Sequence, residues 1–209
     1  MIEFIDSLTI FARDVGLSLG YPGVALAAFL ENFFPPIPSE VVFPFFGFVS
    51  AGGGLNLFLV VASGSLGALA GALFWYGLGS VLGRANLKIY IERFGKYLRL
   101  GYEDIERAER WFERYEAPAV FFGRLVPLVR TLISVPAGFV RMSVFKFVLY
   151  SLLGSLVWTG ALSYGGFFLG ERWESVAEFV KDYELAVGLG LLALLLFALV
   201  RIFILRRNR

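Results

Sequence analysis

Two carboxylates and two guanidiniums stand inside stretches of this chain that are otherwise apolar. Glu31 and Glu40 bound the segment "ENFFPPIPSE" (31–40), and Arg124 and Arg130 lie in "GRLVPLVRTLISVP" (123–136). Insertion scales put a central Arg or Asp in a membrane at about 2.5–3.5 kcal/mol, so two arginines in one segment cost about 5–7 kcal/mol unless polar groups meet them. Guanidinium offers anion binding, because its fork matches a phosphate in charge and in bidentate geometry. A buried carboxyl offers proton transfer: burial favours the neutral acid and a neighbouring arginine the charged one. The plainer alternative is that the four groups pair and lock two parts of the molecule together. Both hold at once if a carboxylate and a phosphate exchange places on one arginine.

Spacing sets what the supporting elements must do. Glu31 and Glu40 are nine residues apart, about 900° on a continuous helix and so on opposite faces; Arg124 and Arg130 are six apart, about 240° off each other. Neither pair could converge from an unbroken helix. Proline removes a backbone donor and clashes with the preceding turn, and each pair has proline between its members: Pro35, Pro36 and Pro38 in one, Pro127 in the other. With Pro136 and Gly138 further along, these residues are expected to shape two hairpin tips that hold charge at depth, facing a cavity.

Composition identifies the medium. The chain has 209 residues, 58% hydrophobic, with 24 glycines besides and mean hydropathy +0.74, above the 45–50% apolar of a soluble domain. It reads as an integral membrane protein. The absence of His removes the commonest metal ligand and general base, and the absence of Cys excludes disulfides, iron–sulfur clusters and thiol catalysis. No catalytic residue, metal or cofactor is expected, and no basic stripe points to nucleic acid. The N-terminus lacks a basic n-region and a small-residue cleavage site, unlike a signal peptide.

Residues 56–83, 147–170 and 185–200 are uncharged and long enough to approach or cross a bilayer, which takes about 20 residues. Residues 22–50 and 117–140 are apolar but broken, the first into pieces of about ten residues that reach only halfway across the hydrocarbon core. A re-entrant hairpin suits such pieces, and the backbone freed by proline must then be buried in protein or line a wet cavity. Residues 102–116 have Tyr102, Ile105, Phe112 and Tyr115 on one helical face, with Trp111 alongside, and Glu103–Arg107 and Glu106–Arg110 as i,i+4 pairs. That pattern is an amphipathic interfacial helix or solvated connector.

The expected fold is an all-α polytopic membrane protein in one domain, 1–209. Residues 1–83 form a first repeat with hairpin 22–50, and residues 84–170 a second with hairpin 117–140. Each has an interfacial helix, a re-entrant hairpin and a transmembrane helix, and the two are inverted in outline, judged on hydropathy alone. Residues 171–209 add an acidic loop and a C-terminal transmembrane helix. Lys and Arg accumulate on the cytoplasmic side, which places residues 84–116 and the C-terminus inside and the acidic loop outside. Transporters are often built from such repeats, with a midplane site where discontinuous elements meet.

Among the remaining residues, "GGG" (52–54) is expected to turn the chain, and Gly64, Ala68 and Gly71 to allow close helix packing. Ser63 and Ser65 are expected to bond to backbone, and Asn32 to cap the second half of the first hairpin. Trp75, Tyr76, Trp158 and Tyr164 read as an interfacial belt in preference to cavity lining.

"FLENFFPPIPSE" (29–40) followed by "FGRLVPLVRTLISVPAGFVRMSVFKF" (122–147) resembles the DedA family, also called the VTT or SNARE-associated domain family, over residues 22 to about 170. The specific pattern is G-R-x-x-P-x-x-R, then P-A-G and a nearby Met, behind an acidic proline-rich segment. The resemblance implies a prokaryotic inner-membrane protein that moves lipids such as undecaprenyl phosphate or phospholipids between leaflets, as flippase or scramblase, with proton coupling proposed for some members. It also implies two hairpins pointing at each other from opposite leaflets. The family's two acidic and two arginine positions match Glu31, Glu40, Arg124 and Arg130; "PSE" stands where some members have Gly-Asp, keeping the charge on a different local backbone. On this reading Arg124 and Arg130 bind the head group and one of Glu31 and Glu40 carries a proton. The rival is a proton-coupled transporter of a small ion or solute. An enzyme acting on lipid phosphates is disfavoured by the lack of His, and a scaffold would be served more simply by an apolar core. An oligomer is compatible with the sequence.

Overall fold

The computed structural model describes residues 10, 14–15, 17–33, 37–98, 102–127 and 129–172, with the backbone alone over 82–98, 102–109 and at Glu113. The described residues lie in helices and the short connections between them: α1 (Tyr21–Phe33), α2 (Ser39–Ala51), α3 (Leu57–Leu98), α4 (Tyr102–Gly123), α5 (Val129–Leu132), α6 (Ser134–Phe139), α7 (Val144–Leu169) and a closing 3₁₀ turn, Gly170–Arg172. Pro35, Pro36, the segment expected to form the C-terminal helix, and most of the expected acidic loop and of the N-terminal segment lie outside the described residues.

Among the described residues, two helices are long and apolar enough to cross a membrane. The apolar part of α3, Leu57–Val81, has 25 residues, and α7 has 26; both exceed the roughly 30 Å of a hydrocarbon core at 1.5 Å per residue. Helix α3 starts where Asn56 Oδ1 accepts the Leu59 N–H (3.2 Å), which satisfies one of the donors a helix start leaves open. It then runs past Arg84 to Leu98 without a break. The connector expected from 84 onward thus begins as a continuation of the spanning helix, since its Arg, Ala, Leu and Lys are good helix formers.

The shorter elements pack on this pair. Helix α1 buries Val24, Ala27, Ala28 and Glu31, the i, i+3, i+4, i+7 stripe of one helical face, and lies along α3. Helix α2 is buried on nearly all sides, from Ser39 to Ser50, and lies along α7. The end of α4 packs on α7, and α6 on α3. The first hairpin returns at Gly53 (φ +79°), a left-handed position that favours glycine, as "GGG" led one to expect. At α4 the amphipathic segment is continuous with the first arm of the second hairpin through a kink at Tyr115 (φ −118°, ψ 20°), three residues before Pro118. Phe112 is buried while Trp111 and Tyr115 are exposed; the Glu103–Arg107 and Glu106–Arg110 pairs fall outside the described side chains.

Glycines permit the close approaches. A Cβ on Gly47 would strike the Ser163 carbonyl, and one on Gly166 the Pro44 carbonyl; one on Gly138 would strike the Tyr76 carbonyl, and one on Gly79 the Val135 carbonyl. On α3, a Cβ on Gly67 would meet Ala25, while on α7 one on Gly154 would lie 2.9 Å from the Phe121 oxygen. Small residues of this kind are what membrane helices need to bring backbones together. The apolar core lies in three clusters: Val24, Val42, Phe45 and Phe46 with Val60; Tyr76, Val120 and Phe147 with Met142; and Ala28, Phe43 and Leu162.

Candidate functional site

All four charged residues singled out from the sequence are buried, Glu31 to 2% relative exposure, Glu40 to 6%, Arg124 to 2% and Arg130 to 8%. Glu31 comes inside because it continues the buried stripe of α1. Arg130 comes inside because α5 starts from a tight turn in which the Arg130 N–H bonds the Val126 carbonyl (3.0 Å), after Pro127 has broken the preceding helix. The two meet: Arg130 Nη2 donates to Glu31 Oε1 in an ion pair between α1 and α5. The Arg130 guanidinium also stands over the Trp158 ring, 5.6 Å from its centroid, within the range of a cation–π attraction.

Glu40 is tied into the same cluster by side chains of its own helix and of α7. Ser39 Oγ donates to Glu40 Oε1 (2.8 Å), and Trp158 Nε1 donates to Ser39 Oγ (3.2 Å). A hydrogen-bonded line therefore runs from Glu40 through Ser39 to Trp158 of α7, whose ring faces Arg130, which holds Glu31. Glu31 Oε2 has no hydrogen-bond partner among the described residues.

Arg124 is set apart. Its Nη2 donates to Ser134 Oγ (2.9 Å), while Nε and Nη1 have no hydrogen-bond partner and no carboxylate pairs with it among the described residues. The side chain lies along α7: a Cβ on Gly154 would come 2.6 Å from Arg124 Cβ, and the guanidinium ends 6.0 Å from the centroid of Phe147. The rings that the two guanidiniums face, Phe147 and Trp158, are eleven residues apart on one helix, about 16 Å of rise. A buried guanidinium with open donors has the chemistry to take an anion, because orphaned buried donors are costly.

A model of the VTT domain matches residues 37–168. The chain is 32% identical over 166 residues to "Undecaprenyl phosphate transporter A" of Bacillus subtilis (strain 168), covering 79% of this chain and 80% of that one. Against "Protein DedA" of Escherichia coli (strain K12) it is 28% identical over 116 residues, 56% of this chain and 51% of the relative. The chain belongs to the DedA family. It is also 40% identical over 195 residues to an "Alkaline phosphatase-like protein" of Lactococcus lactis subsp. lactis (strain IL1403), covering 90% of this chain and 91% of the relative. No solved structure matches the chain. As a DedA-family chain it is a membrane protein, and α3 and α7 are its described helices of spanning length.

Several expectations for this DedA-family chain need correction. Asn32 does not cap the second half of the hairpin: it lies inside α1, its Oδ1 has no partner, and Pro38 precedes α2 without a side-chain cap. Ser63 bonds to backbone as expected, to the Leu59 carbonyl (2.6 Å), but buried Ser65 Oγ has no partner. Tyr76 is buried and Trp75 and Trp158 are half-buried, each with a partner inside the protein: Trp75 Nε1 donates to the Asn32 carbonyl (3.2 Å), Tyr76 bonds the Met142 carbonyl, and Trp158 joins the charge cluster. Tyr164, half exposed, is where a belt residue would be. Gly64 and Gly71 do face close neighbours, Phe43 and Asn32. Pro38 opens α2, Pro127 is buried in the turn between the arginines, and Pro136 and Gly138 lie in α6. Ser39 and Ser134 touch the charged groups although their types and spacing gave no signal, and Trp158, read as a belt residue in preference to cavity lining, touches them too.

Proposed function

We propose that this protein moves a phosphate-bearing lipid, a polyprenyl phosphate or a phospholipid, between membrane leaflets. The observation that carries the reading is Arg124: a fully buried guanidinium with two open donors and no carboxylate on it among the described residues. A lipid phosphate supplies both the acceptors and the charge that Arg124 lacks. Arg130 is the second phosphate ligand, held by Glu31 until a phosphate takes the carboxylate's place. The undecaprenyl phosphate transporter A proteins of Bacillus subtilis and Staphylococcus aureus, 32% and 34% identical to this chain, support a polyprenyl phosphate as cargo. Transport rather than phosphoester hydrolysis fits a chain with no His or Cys to serve as nucleophile or base.

The architecture that goes with this function is a single domain of two inverted repeats, each with a re-entrant hairpin, in the prokaryotic cell membrane with the C-terminus cytoplasmic. Paired contacts support it: α1 lies on α3 as the end of α4 lies on α7, and α2 lies on α7 as α6 lies on α3. So does a constant offset of 87 positions. Leu66 and Leu153, Gly67 and Gly154, Leu69 and Leu156, and Gly79 and Gly166 are identical at that spacing, and both glycine pairs face backbone of the other elements. The hairpin arms α1 and α2, 13 residues each, are about 20 Å long, too short to span.

The test is translocation in proteoliposomes of labelled polyprenyl phosphate and labelled phospholipid, with and without a pH gradient. Wild type should move at least one of them, and Arg124→Ala should not. A second reading, a proton-coupled carrier of a small solute, draws on the open Glu31 Oε2. Collapse of a pH gradient by wild-type protein without any lipid movement would select it.

A further inference from the structure

One face of α7 carries hydroxyls where packing asks only for small residues. Ser151, Ser155, Thr159 and Ser163 recur every four positions and are all buried, to 0%, 5%, 1% and 0% relative exposure. Four-residue spacing keeps side chains on one slowly winding stripe, here about 18 Å from end to end. The positions 87 residues earlier on α3 are Gly64, Ala68, Ala72 and Tyr76. Glycine and alanine serve the close packing at three of those positions without a hydroxyl, and Thr159 packs on Gly64 through its methyl group.

Two of them, like Ser65 on α3, also leave their hydroxyls unbonded. A helical serine ordinarily returns its hydroxyl to a carbonyl three or four residues back. Ser50, Ser63 and Ser80 do this, to the carbonyls of Phe46, Leu59 and Gly77. Ser151 Oγ and Ser163 Oγ are buried and have no partner. The stripe also passes both arginines. The Arg124 side chain runs from Gly154 to Phe147, past Ser151, and Arg130 stands over Trp158, three residues from Ser155 and so its neighbour on the helix surface.

Resting on the lipid-phosphate reading above, we propose that Ser151, Ser155, Thr159 and Ser163 form a hydroxyl rail along which the phosphate head group passes between the Arg124 and Arg130 levels. The rings that the two guanidiniums face are about 16 Å apart along α7. Ser151 and Ser155 lie on the interval between Phe147 and Trp158, and Thr159 and Ser163 continue the line beyond it. Each hydroxyl donates to a phosphate oxygen as the head group moves and draws water into the path with it. A ladder of neutral donors lets the anion pass without holding it at one place, as a further charged residue would.

The chain has no cysteine, so single-cysteine variants can be made on the natural background. Ser151→Cys, Ser155→Cys and Ser163→Cys should react with an anionic methanethiosulfonate in membranes, while the exposed lipid-side positions Leu153→Cys and Val157→Cys should not. Polyprenyl phosphate should slow the labelling, and neither the uncharged polyprenol nor inorganic phosphate should. Ser151→Ala/Ser163→Ala should slow polyprenyl phosphate translocation about tenfold with no loss of thermal stability, and Ser63→Ala, off the stripe, should leave it unchanged. Labelling no greater on the stripe than at Leu153→Cys and Val157→Cys overturns the rail, as does protection by inorganic phosphate alone. Wild-type rates in the double alanine variant also overturn it while leaving lipid transport in place. A wild-type protein that moves no phosphate-bearing lipid removes the transport reading, and the rail with it.

Discussion

The two arginines should respond oppositely to the same substitution. Arg124→Met replaces a buried guanidinium that has two open donors by an apolar side chain of similar length. Each orphaned buried donor costs about 1–3 kcal/mol, so the relief is about 2–6 kcal/mol, while the lost charged hydrogen bond to Ser134 was worth about 1.5–3 kcal/mol. The cation–π contact with Phe147 adds a further loss of about 0.5–1 kcal/mol. The balance is a protein stabilised by about 1 kcal/mol. Arg130→Met leaves the Glu31 carboxylate buried and alone, and breaking a buried pair from one side costs about 3–5 kcal/mol. One kcal/mol moves the melting temperature of a chain this size by about 2–4 °C. The two variants should therefore melt on the order of 10 °C apart in detergent, Arg124→Met at or above wild type and Arg130→Met well below it. Equal destabilisation of both, or a lower melting point for Arg124→Met, would refute the assignment of Arg124 as the unpaired member of the four charges.

Arg130→Ala should abolish lipid translocation in a protein that still inserts, and Arg130→Lys should retain part of it, because lysine supplies charge without the bidentate fork; proteoliposome rates decide. Gly166→Ala and Gly79→Ala each drive a Cβ into a backbone carbonyl and should destabilise by about 1–3 kcal/mol, whereas Gly77→Ala, which meets nothing within 4 Å, should be neutral or slightly stabilising in the same melt. Trp158→Phe keeps a ring under Arg130 but removes the donor to Ser39; the loss of about 1 kcal/mol should be readable by thermal unfolding.

Charge and proline made the site legible. Arginines and glutamates in apolar segments have few explanations, and the prolines between them locate the turns on either side of Glu31–Arg130. The pairing itself was left open, since charge alone allows Glu31 or Glu40 to meet either arginine. Ser39 and Ser134 gave no signal because serine is common in membrane helices. Trp75, Tyr76 and Trp158 read as a belt because hydropathy does not distinguish a side chain that faces lipid from one that faces protein. The 87-residue offset was hidden for a related reason: its matches are leucines and glycines, the commonest residues of such helices, and they acquire weight only when Gly79 and Gly166 are seen against backbone. Asn32 misled because its type suits a cap, while the helix needed no cap at that point.

The central claim is that Arg124 holds a phosphate carried by a lipid. The most direct measurement is binding of undecaprenyl phosphate and undecaprenol to purified protein in detergent, comparing wild type with Arg124→Gln. Wild type should bind the phosphate and not the alcohol, and Arg124→Gln should lose about tenfold or more in affinity, the equivalent of one charge-assisted hydrogen bond at about 1.5–3 kcal/mol. Equal binding of phosphate and alcohol, or of the phosphate by both proteins, would contradict it.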